Sequence, residues 1–165
     1  METSLIKINK MNEAVNIELS LELAQRIKPP TRNCFERVYQ ASLLTEGSLY
    51  VQGFLVLPHP PYVPIEYSWI TLEESIIDLT KKHLKNSQEH YYFPAQSLTR
   101  KELKSSVEEA VEDYPEDEPL PIYGETPYCY YGEVMLGGEA YKNAYEKALA
   151  KCRELKRKQL KIKPK

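Results

Sequence analysis

The sequence predicts an α+β fold, with a small antiparallel sheet packed on an N-terminal Cys-bearing helix and a long C-terminal helix as a brace. Three observations predict it. In "RNCFERVYQASLL", residues 32–44, Asn33 precedes a run with helical apolar spacing. Residues 49–93 hold short β-branched and aromatic runs divided by turn residues, and residues 138–160 keep one apolar stripe at helical spacing.

The elements follow in order. "MNEAVNIELSLELAQRI", residues 11–27, places Leu19, Leu23 and Ile27 at four-residue steps, and Pro29 and Pro30 stop the helix near Lys28. The next helix starts at Cys34 with Asn33 as its N-cap and Glu36 three residues on, and should present Phe35, Val38, Tyr39 and Ser42 on one face as far as Leu44. "LYVQGFLVL" between Gly47 and Pro58 reads as a buried strand. "IEYSWIT" and "SIIDLT" read as a hairpin around Leu72 to Glu74. An even loop there puts Tyr67 and Asp78 on one face of the sheet, and an odd loop separates them.

"HYYFPAQSL" predicts a further strand ending at Pro94, and Thr99 with Glu102 has capping-box spacing for a helix. Residues 113–127, with four prolines and an acidic run, predict an irregular solvated connector. "YCYYGEVML" is a strand or hook. In the last helix, about 138–160, Ala140, Tyr141, Ala144, Tyr145, Ala148, Leu149, Cys152 and Leu155 form the stripe.

With 165 residues, 42% hydrophobic and 28% charged, one domain over 1–165 with a core at about 31–95 is expected. A net charge of −2 gives no global pull toward nucleic acid or an anionic membrane. Three widely spaced cysteines, Cys34, Cys129 and Cys152, match neither a disulfide framework nor a zinc pattern, and no apolar run reaches membrane-spanning length. The expectation is a cytoplasmic protein with no membrane, metal or cofactor partner. Cys129 and Cys152 read as packing residues.

The residues around Cys34 carry a resemblance. A Cys at a helix N-terminus ("NCF"), a strand with a glycine ("YVQG"), a strand with an aromatic two residues past a polar position ("IEYSW") and then "IIDLT" follow in order. This resembles the core of the transglutaminase-like and papain-like cysteine enzymes, and is similar to small bacterial and phage proteins with that core. The resemblance spans roughly Asn33 to Phe93. It implies Cys34 as nucleophile, Asp78 as orienting carboxylate and Trp69 as the aromatic of the histidine strand, with Tyr67 where that group has its His.

Tyr67 makes a poor general base. Bringing a phenol from about 10 to pH 7 costs roughly 4 kcal/mol, and a neighbouring Asp78 pushes the other way. His59 in the proline loop and His90 before the next strand are the substitute bases, and either could also contact substrate with Asn33 and Trp69. The first functional expectation is therefore a degenerate transglutaminase/papain-like domain that binds a peptide or acyl group. The alternatives are an active cysteine-dependent acyl transferase or hydrolase using His59 or His90, and an adaptor for nucleic acid or an acidic partner. That adaptor would work through the basic end, Lys156, Arg157, Lys158 and Lys161, on which the acidic run Glu108 to Glu118 could also fold back.

Overall fold

Asn16 and Asn33 set where the first two described helices begin. The computed structural model describes residues 15–27, 33–79 and 90–162. Helix α1 (Ile17–Arg26) starts later than its apolar spacing suggests, because Val15 bridges Ile76 and the Asn16 side chain accepts from the Leu19 N–H. The Pro29–Pro30 stop lies outside the described residues. Helix α2 (Cys34–Leu44) starts at Cys34: Asn33 Oδ1 accepts the Glu36 N–H at 2.8 Å and satisfies one of the first-turn donors.

Four strands follow: β1 (Leu49–Val56), β2 (Ile65–Leu72), β3 (Ser75–Ile77) and β4 (Tyr91–Thr99). They pair antiparallel in the order β3-β2-β1-β4. The β2–β3 turn has two residues, Glu73 and Glu74, with φ of 49° and 65°. Both are left-handed, as the tight turns that match strand twist require.

Strand β4 runs through Pro94 rather than ending there. The register slips between Gln52 and Gly53 of β1, so Ala95 is the extra residue and Pro94 lies opposite Gly53. A bulge tolerates a residue that cannot donate to the ladder. Gly53 permits the close approach, since a Cβ there would lie 2.1 Å from the Phe93 carbonyl oxygen.

Helix α3 (Arg100–Asp113) opens with the capping box, Thr99 and Glu102 bonding reciprocally. A connector, residues 114–127, leads to a second sheet, the hairpin β5 (Tyr128–Tyr131) and β6 (Val134–Gly137), and then to α4 (Glu139–Ile162). The architecture is α+β, with the long C-terminal helix as predicted.

The two faces of the main sheet have different partners. Tyr50, Ile70 and Ile77 point one way and pack with Leu23, Ala24 and Ile27 of α1, Phe35, Val38 and Ala41 of α2, and Leu103 and Val107 of α3. On that same face, Phe54, Val56, Tyr91 and Phe93 pack with Tyr141, Ala144, Ala148 and Cys152 of α4. All four described helices therefore contribute to one side. Alternation along the strands sends Val51, Leu55, Tyr67, Trp69, Ile76 and Tyr92 to the other side, where they form a separate buried cluster. Arg37 donates to the Ala24 carbonyl at 3.1 Å and Arg100 to the Leu43 carbonyl at 2.8 Å, tying α1, α2 and α3 together.

Candidate functional site

Asp78, one residue past β3, is fully buried and accepts hydrogen bonds from Tyr67 at 2.5 Å and Tyr92 at 2.7 Å. Its backbone N–H donates to the Ser20 hydroxyl at 3.0 Å. The even turn is what brings Tyr67 and Asp78 to one face. Trp69 stacks on Tyr67 with ring centroids 6.5 Å apart and meets Tyr92 edge-on at 5.1 Å. Burial, the Asp78 charge and the bond to Asp78 all raise the Tyr92 phenol far above its ordinary range. Trp69 is 2% exposed, so it is core and not a substrate platform.

Cys34 belongs to the opposite side of the sheet. Its helix packs on the Tyr50–Ile70–Ile77 face, whereas Tyr67 and Trp69, one position out of phase with Ile70, project away from it. Cys34 and Asn33 share a helix start, and Tyr67, Asp78 and Trp69 share a buried cluster, but the strand alternation sends Tyr67 and Trp69 to the other face of the sheet, and Asp78 acts on Cys34 through its charge. The Cys34 residue is exposed, yet its sulfur lies near enough to protein atoms that desolvation dominates and raises the thiol. The Cys34 and Phe35 N–H groups at the helix start pull it down, the former less strongly than burial pushes it up, and the carboxylates of Asp78 and Glu66 raise it further. A nucleophile needs the reverse balance.

His59 is exposed in its loop with Nδ1 3.3 Å from the Pro60 carbonyl oxygen, and His90 is half-buried just before β4. Cys152 is buried against the sheet as expected, with its thiol raised by burial. Cys129 is exposed on β5 and is not a packing residue, although the same hairpin buries Leu136 and packs Tyr131 and Val134 against the Phe54 cluster. Among the described residues no three His, Cys, Asp or Glu side chains are grouped to hold a metal ion, and no helix is long and apolar enough to cross a membrane.

The connector is anchored rather than loosely solvated. Gln52, 1% exposed on β1, accepts from the Ile122 N–H at 2.8 Å and donates to the Ile122 carbonyl at 2.9 Å, as a neighbouring strand would. The same amide accepts from Tyr50 at 2.7 Å and donates to Tyr141 at 2.5 Å, while Gln96 also donates to Tyr141 at 3.2 Å. Asn33 Nδ2 donates to Glu118 at 2.6 Å, so the residue that caps α2 also holds the start of the connector. Leu120 is buried in the core between these two anchors.

Held in this way, the connector and α3 enclose a groove of about 460 Å³. Pro119, Pro121, Ile122, Tyr123, Tyr128 and Met135 form much of its lining, with Tyr114 and Ala110 opposite and Glu109, Asp113, Asp117 and Glu118 also on its walls. Tyr114, Tyr123, Tyr128 and Met135 are exposed at 66%, 47%, 44% and 38%. The sequence reads these residues as a solvated connector and a strand or hook; the clustered tyrosines of "YGETPYCYYG" beside closely spaced prolines are the signal that could have marked a contact surface.

At the basic end, Lys156, Arg157, Lys158 and Lys161 are exposed along the last turns of α4, with Leu160 75% exposed among them. Among the described residues, the ion pairs of this end are with Glu154 of the same helix, from Lys151 at 2.8 Å and Lys158 at 3.3 Å, and not with the acidic run of α3. Spacing of three and four residues on one helix makes the local pair accessible without moving any other element. Comparison of the chain with protein-family models, curated proteins and solved structures gave no match.

Proposed function

We propose that this domain is a non-catalytic peptide-binding module, whose binding surface is the groove between α3 and the connector. One observation carries the reading: an anchored cavity of about 460 Å³, within the ordinary range for ligand sites, walled by exposed tyrosines, prolines and a methionine. Tyr and Met are enriched where proteins bind each other, and aromatic-lined grooves take extended peptides. The state of Cys34 supports the non-catalytic half. Its thiol is raised, its helix faces away from Tyr67, and Tyr67 is bonded to Asp78. This keeps the binding part of the transglutaminase-like expectation and sets aside acyl transfer through Cys34.

The test is selection of a displayed peptide library on the intact chain, with the Tyr123→Ala/Tyr128→Ala variant and the Cys34→Ala variant in parallel. Enrichment lost in the tyrosine variant and kept in Cys34→Ala is the expected result. Enrichment that survives in the tyrosine variant, or that needs Cys34, refutes the groove.

The exposed cations on the last turns of α4 favour a second reading, an adaptor for nucleic acid or an acidic partner. It requires binding to a DNA or RNA oligomer that falls steeply with salt and is abolished by Lys156→Glu/Lys158→Glu.

A further inference from the structure

We infer that the groove is selective for a cationic segment, an extended peptide of a partner protein carrying Lys or Arg side chains. The inference rests on the binding reading above and names the chemistry of its occupant.

The residues lining the groove include four carboxylates, Glu109, Asp113, Asp117 and Glu118, and no Lys, Arg or His. The bias extends along the chain. From Ser105 to Tyr141 there are ten carboxylates and no Lys, Arg or His, a formal charge of −10 on a chain whose total is −2, so the remaining residues carry +8. The stretch from the second turn of α3 through the connector and hairpin is therefore strongly negative although the whole molecule is nearly neutral, and the cations of α3, Arg100, Lys101 and Lys104, stand at that helix's other end. Such a local field draws in and orients a partner of opposite sign. Glu118 is held by Asn33, while among the described residues Glu109, Asp113 and Asp117 have no ion-pair partner.

The apolar lining supplies the other half of the recognition. Tyr114, Tyr123 and Tyr128 expose ring surface beside these carboxylates, and a guanidinium or ammonium is stabilised both by a ring face and by an adjacent carboxylate. The chain uses the first of these contacts internally, where Lys151 Nζ lies 4.2 Å from the Tyr91 ring centroid. Long cationic side chains also have aliphatic stems that cover apolar surface such as Pro121, Ile122 and Met135. The carboxylates are distributed along the groove and not gathered in a metal-binding group, which suits several side-chain cations spaced along a peptide.

Fluorescence anisotropy of the full chain tests this with three labelled peptides: Arg-Leu-Arg-Pro-Arg-Leu-Arg and its counterparts with every Arg replaced by Gln or by Glu. Circular dichroism on each variant reports its fold. The Arg peptide is expected to bind, to weaken at least about tenfold between 50 and 500 mM NaCl as the Debye length shortens, and to weaken at least about fivefold with Asp113→Asn/Asp117→Asn. The Glu peptide is expected not to bind. A Gln peptide that binds as well as the Arg peptide, without salt dependence, overturns the charge selectivity and leaves the peptide-binding reading standing. Binding of the Arg peptide that is unchanged in the folded Asp113→Asn/Asp117→Asn variant also overturns the inference, since the cation then docks elsewhere. Failure of all three peptides ends both the inference and the reading. Sedimentation of the free chain gives the remaining outcome: salt-sensitive self-association, lost in Lys156→Glu/Lys158→Glu, would make a second copy's basic helix the occupant and overturn the assignment to a partner protein.

Discussion

Gln52→Leu removes the anchor that shapes the groove while keeping a side chain of similar length in the sheet. Four hydrogen bonds are lost, to Tyr50, to both backbone groups of Ile122 and to Tyr141. Tyr141 keeps Gln96 and lies 3.3 Å from the Ile122 carbonyl, so Tyr50 and Ile122 bear most of the loss. At about 1 kcal/mol per bond the gross cost is about 4 kcal/mol. Burying a leucine in place of an amide recovers about 1–2 kcal/mol, leaving a net loss of about 2–3 kcal/mol. For a chain of this size that corresponds to a fall in Tm of about 4–12 °C. Guanidinium unfolding followed through Trp69, the single tryptophan and a buried one, measures the loss. Hydrogen exchange at the Ile122 amide reports separately whether the connector has come away. A loss below about 1 kcal/mol with that amide still protected would refute the anchoring, since an unmet buried partner costs at least that much.

The remaining predictions concern the two faces of the sheet. Asp78→Ala leaves two buried phenols without their acceptor and should cost about 3–5 kcal/mol, against about 1–2 for Asp78→Asn; urea unfolding with Tyr92→Phe in a double-mutant cycle checks the coupling. Glu74→Gly, at φ 65°, should gain about 0.5–1 kcal/mol, read as an upward shift in the urea midpoint. Cys34 should show an alkylation inflection above the ordinary thiol value of about 8.5, because desolvation and two carboxylates disfavour its thiolate. Tyr67→His should not bring the inflection below pH 8, since an imidazole at position 67 projects from the far face of the sheet and acts on Cys34 only at a distance, through the Asp78 charge; iodoacetamide kinetics by mass spectrometry would expose an inflection below pH 8 in the variant.

Much of the fold was legible because its signals are local. Asn33 before Cys34, Thr99 with Glu102, and the alanine stripe of the last helix each specify an element within a few residues, and the helices start where those signals stand. The strand through Pro94 was not legible, because its tolerance depends on a register slip opposite Gly53, more than forty residues away. The candidate catalytic set shows the same limit. Tyr67 and Asp78 meet because the turn has two residues, but their separation from Cys34 depends on which strand face the helices choose, and no motif records that choice. The groove depends on Gln52, which in the sequence is one polar residue inside an apolar strand.

The two-residue turn at Glu73–Glu74 bears on how this chain can vary. Replacing either glutamate leaves the register as it is, because the count of residues between β2 and β3 stays even. Adding or removing one residue inverts β3 and the residue that follows it. Ile76 and Ile77 would exchange sides, and Asp78 would leave Tyr67 and Tyr92 for the helix-covered face. The segment is thus tolerant in spelling and strict in length, and descendants of this sequence should carry insertions there in pairs.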